Sequence, residues 1–201
     1  MPRTADHAER RSQLIAALVR VAARDGLHAV TMRSVAAEAG VSLRLVQYYF
    51  DTKAQLVHAA LRHLEAQSNQ RWAARLADQP DPVEPRVVVE AFLAEALPTD
   101  EPSRVFHTVW TSYAVLAMTD PDLAAQPFVD GPNHLEAQLA QLLRRAQDQG
   151  RIPADRNPAI EAARLLMVTH GLGTSILVGR HTPDAAQAVL RYHLDRLFPP
   201  A

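Results

Sequence analysis

Apolar residues recur at spacings of three and four along almost the whole chain, as in Leu14, Leu18 and Val21, and strand-like alternation is scarce. Most periodic runs stop at a glycine or restart at a capping residue that precedes proline: Gly26, Gly40, Asn157-Pro158 and Thr182-Pro183. This punctuation restricts the chain to an all-α fold of about nine helices, eight to ten depending on how the breaks are drawn. With 201 residues and 48% apolar content, the chain can form a single domain or a small domain joined to a larger one.

Several function classes are disfavoured at once. The most apolar run, Leu165 to Val178, is too short for a bilayer span and contains His170, so no membrane helix is expected. Arg3, Arg10 and Arg11 are interspersed with Asp6 and Glu9 and lead into an amphipathic pattern, not a signal peptide. No cysteine is present, which excludes disulfides and thiolate chemistry and fits a cytoplasmic protein. No glycine-rich phosphate loop occurs, and His58 and His63, five apart, fall on different faces of one helix. No cofactor or metal is expected, and an all-helical enzyme is the weakest reading. Residues 1–60 hold eight Lys/Arg against five Asp/Glu, whereas the remainder holds thirteen against seventeen, so a +3 head precedes a −4 body.

The first helix is expected from about Ala5 to Asp25, with Gly26 as a left-handed cap. Thr31 caps Met32–Ala39, Gly40 ends it, Ser42 caps a helix running to about Phe50, and Asp51 or Thr52 caps a long helix from Lys53 to about Leu76. QPDPVEP, Gln79 to Pro85, is the clearest break. Helices then follow at about Arg86–Leu97 and Glu101–Thr119; Gly131-Pro132 interrupts a tract that resumes over Asn133–Gln149, and two last helices reach Val178 and Phe198. Ala36, Gly40 and Val46 have the spacing of a helix-turn-helix: a small residue at the crossing, a glycine at the turn, an apolar anchor in the second helix.

The run VAAEAGVSLRLVQYYFDTKAQL, with Gly26 and Thr31 before it, closely resembles the DNA-binding domain of the TetR family of bacterial repressors over about residues 8–60. Tyr48, Tyr49, Phe50 and Lys53 match the family's aromatic ending and following lysine; Lys53 is the chain's single lysine. The resemblance implies a DNA-binding domain at 1–54, a helical effector-binding and dimerisation domain at 55–201, a double-stranded operator and an unknown small-molecule effector.

A short recognition helix reads bases with its exposed positions, here Leu43, Arg44, Gln47 and Tyr48, while Val46 and Phe50 point inward. Arg44 suits guanine O6 and N7, and Gln47 suits adenine N6 and N7. Many family members carry glycine and tyrosine at these two places, so the operator is not inherited from the resemblance. Thr31, Ser42, Tyr48, Tyr49 and Lys53 are candidate phosphate contacts. Arg33 is either another or merely solvated, and Tyr49 is alternatively a core aromatic.

In the larger part, Phe106, Trp110, Tyr113 and Met118 recur along one helix, and Met167, His170 and Thr174 along another. In TetR-like proteins such helices enclose an apolar ligand pocket, so Phe106, Trp110, Tyr113, Met167, His170 and Thr174 are its candidate lining; core packing is the alternative for each, and His107 and His170 fit hydrogen-bonded core histidines. The segment VWTSYAVLAMTDPDLAA resembles a subgroup that includes the choline-responsive repressor of betaine synthesis. The family's last two helices form a dimer's four-helix bundle, so a homodimer is expected. An effector-independent architectural DNA-binding protein remains the alternative.

Overall fold

The computed structural model describes residues 2–80, 82–125 and 130–199. Among them are ten α-helices and no strand: α1 (Pro2–Asp25), α2 (Met32–Ala39), α3 (Leu43–Tyr49), α4 (Lys53–Ala77), α5 (Pro85–Glu95), α6 (Glu101–Ala117), α7 (Pro121–Ala124), α8 (Asp130–Asp148), α9 (Pro158–Leu177) and α10 (Pro183–Leu197). The expected helical breaks are largely where capping chemistry puts them. Thr31 accepts from the Ser34 N–H at 2.9 Å while Ser34 accepts from the Thr31 N–H at 2.8 Å, a reciprocal box that starts α2. Gly40 ends α2 at φ 66°, ψ 33°, and Ser42 accepts from Leu45 to start α3. Of the two candidate caps for α4, Thr52 makes the bond, taking the Gln55 N–H at 3.1 Å.

Three local expectations are corrected. Gly26 has φ 84° but ψ 158°, an extended mirror-image conformation instead of a left-handed cap, and a Cβ there would come within 2.8 Å of the His28 ring. Gly131-Pro132 does not interrupt a helix: both lie in the first turn of α8, where a missing N–H costs nothing. The short α7 was not anticipated; Asp120 caps it through the N–H groups of Asp122 and Leu123, with Pro121 as its first residue.

The chain divides into two compact units, one comprising the chain up to Gln67 with the segment from Thr108, the other Ser68–His107 with the described residues after 127. The division thus falls inside α4 and α6. In the first unit Leu14, Leu18, Val35, Val46, Leu56 and Val57 are fully buried. Arg20 and Arg24 of α1 hold Glu38 of α2 at 2.7 and 3.0 Å, exposed pairs that depress the Glu38 carboxylate through hydrogen bonds from Arg20 and then Arg24. In the second unit α5, α8, α9 and α10 bury Val89, Leu93, Leu139, Leu143, Leu165, Leu190 and Leu194 in one core. No helix among the described residues is long and apolar enough to cross a membrane.

Candidate functional site

The reading geometry in the first unit follows from the seven-residue length of α3. Val46 and Phe50, four apart, are 0% and 2% exposed and hold the helix down; Arg44, Gln47 and Tyr48 lie on the opposite, exposed side. Leu43 is half-buried. Arg44, Gln47 and Lys53 have no hydrogen bond or ion pair among the described residues, so their polar ends are uncommitted. Lys53, half-buried, opens α4, where the helix dipole disfavours a cation and an external phosphate would compensate it.

The phosphate candidates are distributed around this face. Thr31 and Ser42 are exposed at the starts of α2 and α3, but each hydroxyl already accepts a main-chain N–H, and that of Thr31 also donates to the Ser34 hydroxyl at 3.2 Å, so what they present is the Ser42 hydroxyl hydrogen and the unpaired first-turn N–H groups. Arg33 is exposed in the first turn of α2. Tyr48, 72% exposed, meets Tyr49 edge-on with centroids 5.2 Å apart. Tyr49 is half-buried, its ring 4.5 Å from that of His7 on α1. Sequence reasoning missed His7, because nothing near position 7 signals a contact with a residue about forty positions away.

The candidate pocket residues divide unevenly. Tyr113 is fully buried, and its hydroxyl donates to the Leu123 carbonyl at 2.7 Å, so its polar end is occupied by the fold. Trp110, in the same unit, is half-buried. In the other unit Phe106 is half-buried and packs edge-on to the His107 ring at 5.4 Å. Met167 is 71% exposed and Thr174 is exposed, while the buried face of α9 carries Leu165, Thr169, Leu172 and Ile176. Among the described residues no group of three or more acidic, histidine or cysteine side chains is placed to hold a metal ion.

His107 is the more informative histidine. It is 7% exposed, its Nε2 has no hydrogen-bond partner, and Gly173 leaves room beside the ring, since a Cβ there would lie 3.7 Å from Nδ1. Burial first, and then the neighbouring His170, push its pKa down to about 4, while a hydrogen bond to the Glu95 main chain opposes them. His170 is itself lowered by burial. An imidazole depressed from 6.5 binds its proton in the unfolded chain first, so its stabilising contribution is complete above pH 6.5 and is lost as the pH falls towards 4. That loss amounts to about 3 kcal/mol. Thermal melts at pH 7.5 and 4.5 should show a smaller acid-induced drop for His107→Gln than for the parent; equal drops would remove His107 from the account.

Comparison with known proteins places these features in a family. Residues 14–60 match the family described as bacterial regulatory proteins, tetR family, and residues 85–199 match the BetI-type transcriptional repressor C-terminal family. The chain is 24% identical over 199 residues to the HTH-type transcriptional regulator PksA of Bacillus subtilis, covering 98% of this chain and 94% of that one. It is 30% identical over 155 residues to BetI of Burkholderia lata, covering 73% and 76% respectively. A solved transcriptional regulator from Saccharomonospora viridis in complex with choline superposes with a TM-score of 0.83 at 24% identity, over 96% of this chain and 100% of that one, a likeness of fold.

Proposed function

The chain belongs to the TetR family and carries a BetI-type C-terminal domain, and from that premise we propose that it binds a near-palindromic operator as a homodimer and is released by a small molecule. It is a TetR/BetI-type transcriptional repressor, in a family of regulators and not of enzymes. Its place of action is the cytoplasm, where the operator is. Residues 1–54 supply the DNA contacts, and 55–201 supply the effector site and dimer interface. The observation that carries the reading is the exposed face of α3, where Arg44, Gln47 and Tyr48 stand opposite the buried Val46 and Phe50, with Lys53 beside them.

In this reading Arg44 and Gln47 choose bases, and Thr31, Arg33, Ser42, Tyr48, Tyr49 and Lys53 fix the register on the backbone. Arg44→Ala is expected to relax preference at one base pair per half-site, worth about 1–3 kcal/mol, in a randomised-site selection. Lys53→Ala should instead weaken all sequences alike and reduce the salt slope by about 1. An unchanged base preference for Arg44→Ala would sink the direct-readout assignment.

Dimerisation is supported by an unpartnered stripe on α9. Ile160, Met167 and Val178 are 66%, 71% and 65% exposed, Gly171 and Thr174 lie between them, and Tyr192 on α10 is 57% exposed. Met167 and Thr174 therefore fit a subunit interface better than a pocket. Sedimentation at micromolar concentration should give a dimer, and Met167→Glu should shift it towards monomer; a parent that sediments as a monomer would refute the interface. Choline is the first effector to test, because the Saccharomonospora viridis regulator binds it; an effector should both raise the melting temperature and release the operator.

A further inference from the structure

Outside the reading face, the first unit has a cleft of about 600 Å³ between α1 and α4, within the size range of small-molecule sites. Its lining includes Arg11 and Ser12 of α1, Tyr49 and Phe50 at the end of α3, and His58 and Arg62 of α4. Two guanidiniums and two imidazoles line it, and among the described residues no carboxylate does. In this unit Arg20 and Arg24 are neutralised by Glu38, whereas Arg10, Arg11, Arg33, Arg44 and Arg62 have no ion pair among the described residues, and of these only Arg11 and Arg62 line the cleft. Arg11 is oriented by the Phe50 ring, with its Cζ 4.9 Å from the ring centroid.

We propose that this cleft, within the compact unit that carries the recognition helix, is a second ligand site that takes a small phosphate-bearing anion. Fork-shaped guanidiniums without carboxylate partners suit phosphate oxygens, and the Ser12 hydroxyl and Gln55 amide add neutral donors. Phosphate has two sources here, a free metabolite or the DNA backbone. Tyr49, one of the residues assigned to the DNA backbone, borders the cleft, whereas Arg44, Gln47 and Tyr48 do not, so the shared chemistry is a phosphate group whose source the salt dependence of DNA binding distinguishes. A bound anion would engage Arg11, which covers the residue that closes α3, and so would be felt by the recognition helix.

The test uses the full chain and no operator sequence, so it does not depend on the operator assignment. Titration calorimetry with inorganic pyrophosphate at low salt is expected to give saturable binding at one site per chain. Arg62→Gln and Ser12→Glu should each weaken it at least about tenfold. Both residues are exposed, and unchanged melting curves would show that the variants fold. Binding to random-sequence duplex over a salt series separates the sources. An unchanged slope for Arg62→Gln assigns the site to a free anion, and a slope reduced by about 1 assigns it to a backbone phosphate. Absence of saturable pyrophosphate binding together with an unchanged slope overturns the proposal, as does pyrophosphate binding that survives both substitutions.

Discussion

Phe50→Ala is expected to destabilise the DNA-binding unit by about 3–5 kcal/mol and to abolish operator binding. Phe50 is 2% exposed, its N–H closes α3 on the Val46 carbonyl at 2.9 Å, and the Arg11 guanidinium lies over its ring. Truncation leaves a cavity under a helix only seven residues long, which has too little intrinsic stability to keep its position without that anchor. The informative control is Tyr48→Ala, two residues earlier and 72% exposed. It should alter stability by less than about 0.5 kcal/mol while still weakening DNA binding. Chemical denaturation followed alongside DNA binding distinguishes the two roles. If Phe50→Ala unfolded like the parent and lost only DNA affinity, Phe50 would be a contact and not an anchor.

Glu95→Ala is expected to cost about 3–5 kcal/mol, an effect of comparable size with a different origin. Glu95 is 4% exposed at the C-terminal end of α5, where neither burial nor the helix dipole favours a carboxylate. Three side chains of α4 compensate it. Ser68 donates at 3.1 Å, Arg71 donates through Nε at 2.8 Å, and Arg75 approaches the second oxygen at 3.3 Å. Arg71 Nη2 is also at ion-pair distance, 2.6 Å, but makes no hydrogen bond of its own. Removing the carboxylate leaves the Arg71 head, 26% exposed, partly desolvated without an anion. The double change Glu95→Leu with Arg71→Leu should therefore lose less than the sum of the single changes in a denaturant-melt cycle. Simple additivity would mean that the pair is solvated and not structural.

Much of the reading face was legible because its determinants are local. A cap, a turn glycine and an apolar pair four apart act within one or two turns, so Thr31, Gly40, Ser42, Val46 and Phe50 fall where their chemistry predicts. The same reasoning slipped where two local rules competed. Gly131-Pro132 signals both a break and a helix start, and the backbone takes the start. Tyr113, Met167 and Thr174 show another limit: aromatic and apolar residues at helical spacing specify a face, but not whether that face meets a cavity, a core or another chain.

The sequence by itself determined the helical class, the helix-turn-helix and the separation of α3 into anchoring and reading positions, because capping and periodicity are short-range and carried by few residues. Only the tertiary structure decided that His7 packs against Tyr49, that Glu95 is buried against Arg71, that burial lowers the His107 pKa, and that Arg11 and Arg62 line one cleft with no carboxylate among its described lining. Each of those depends on burial or on contacts between residues far apart in the chain, and burial, which sets the cost of a charge or an unpaired nitrogen, is fixed only when helices pack.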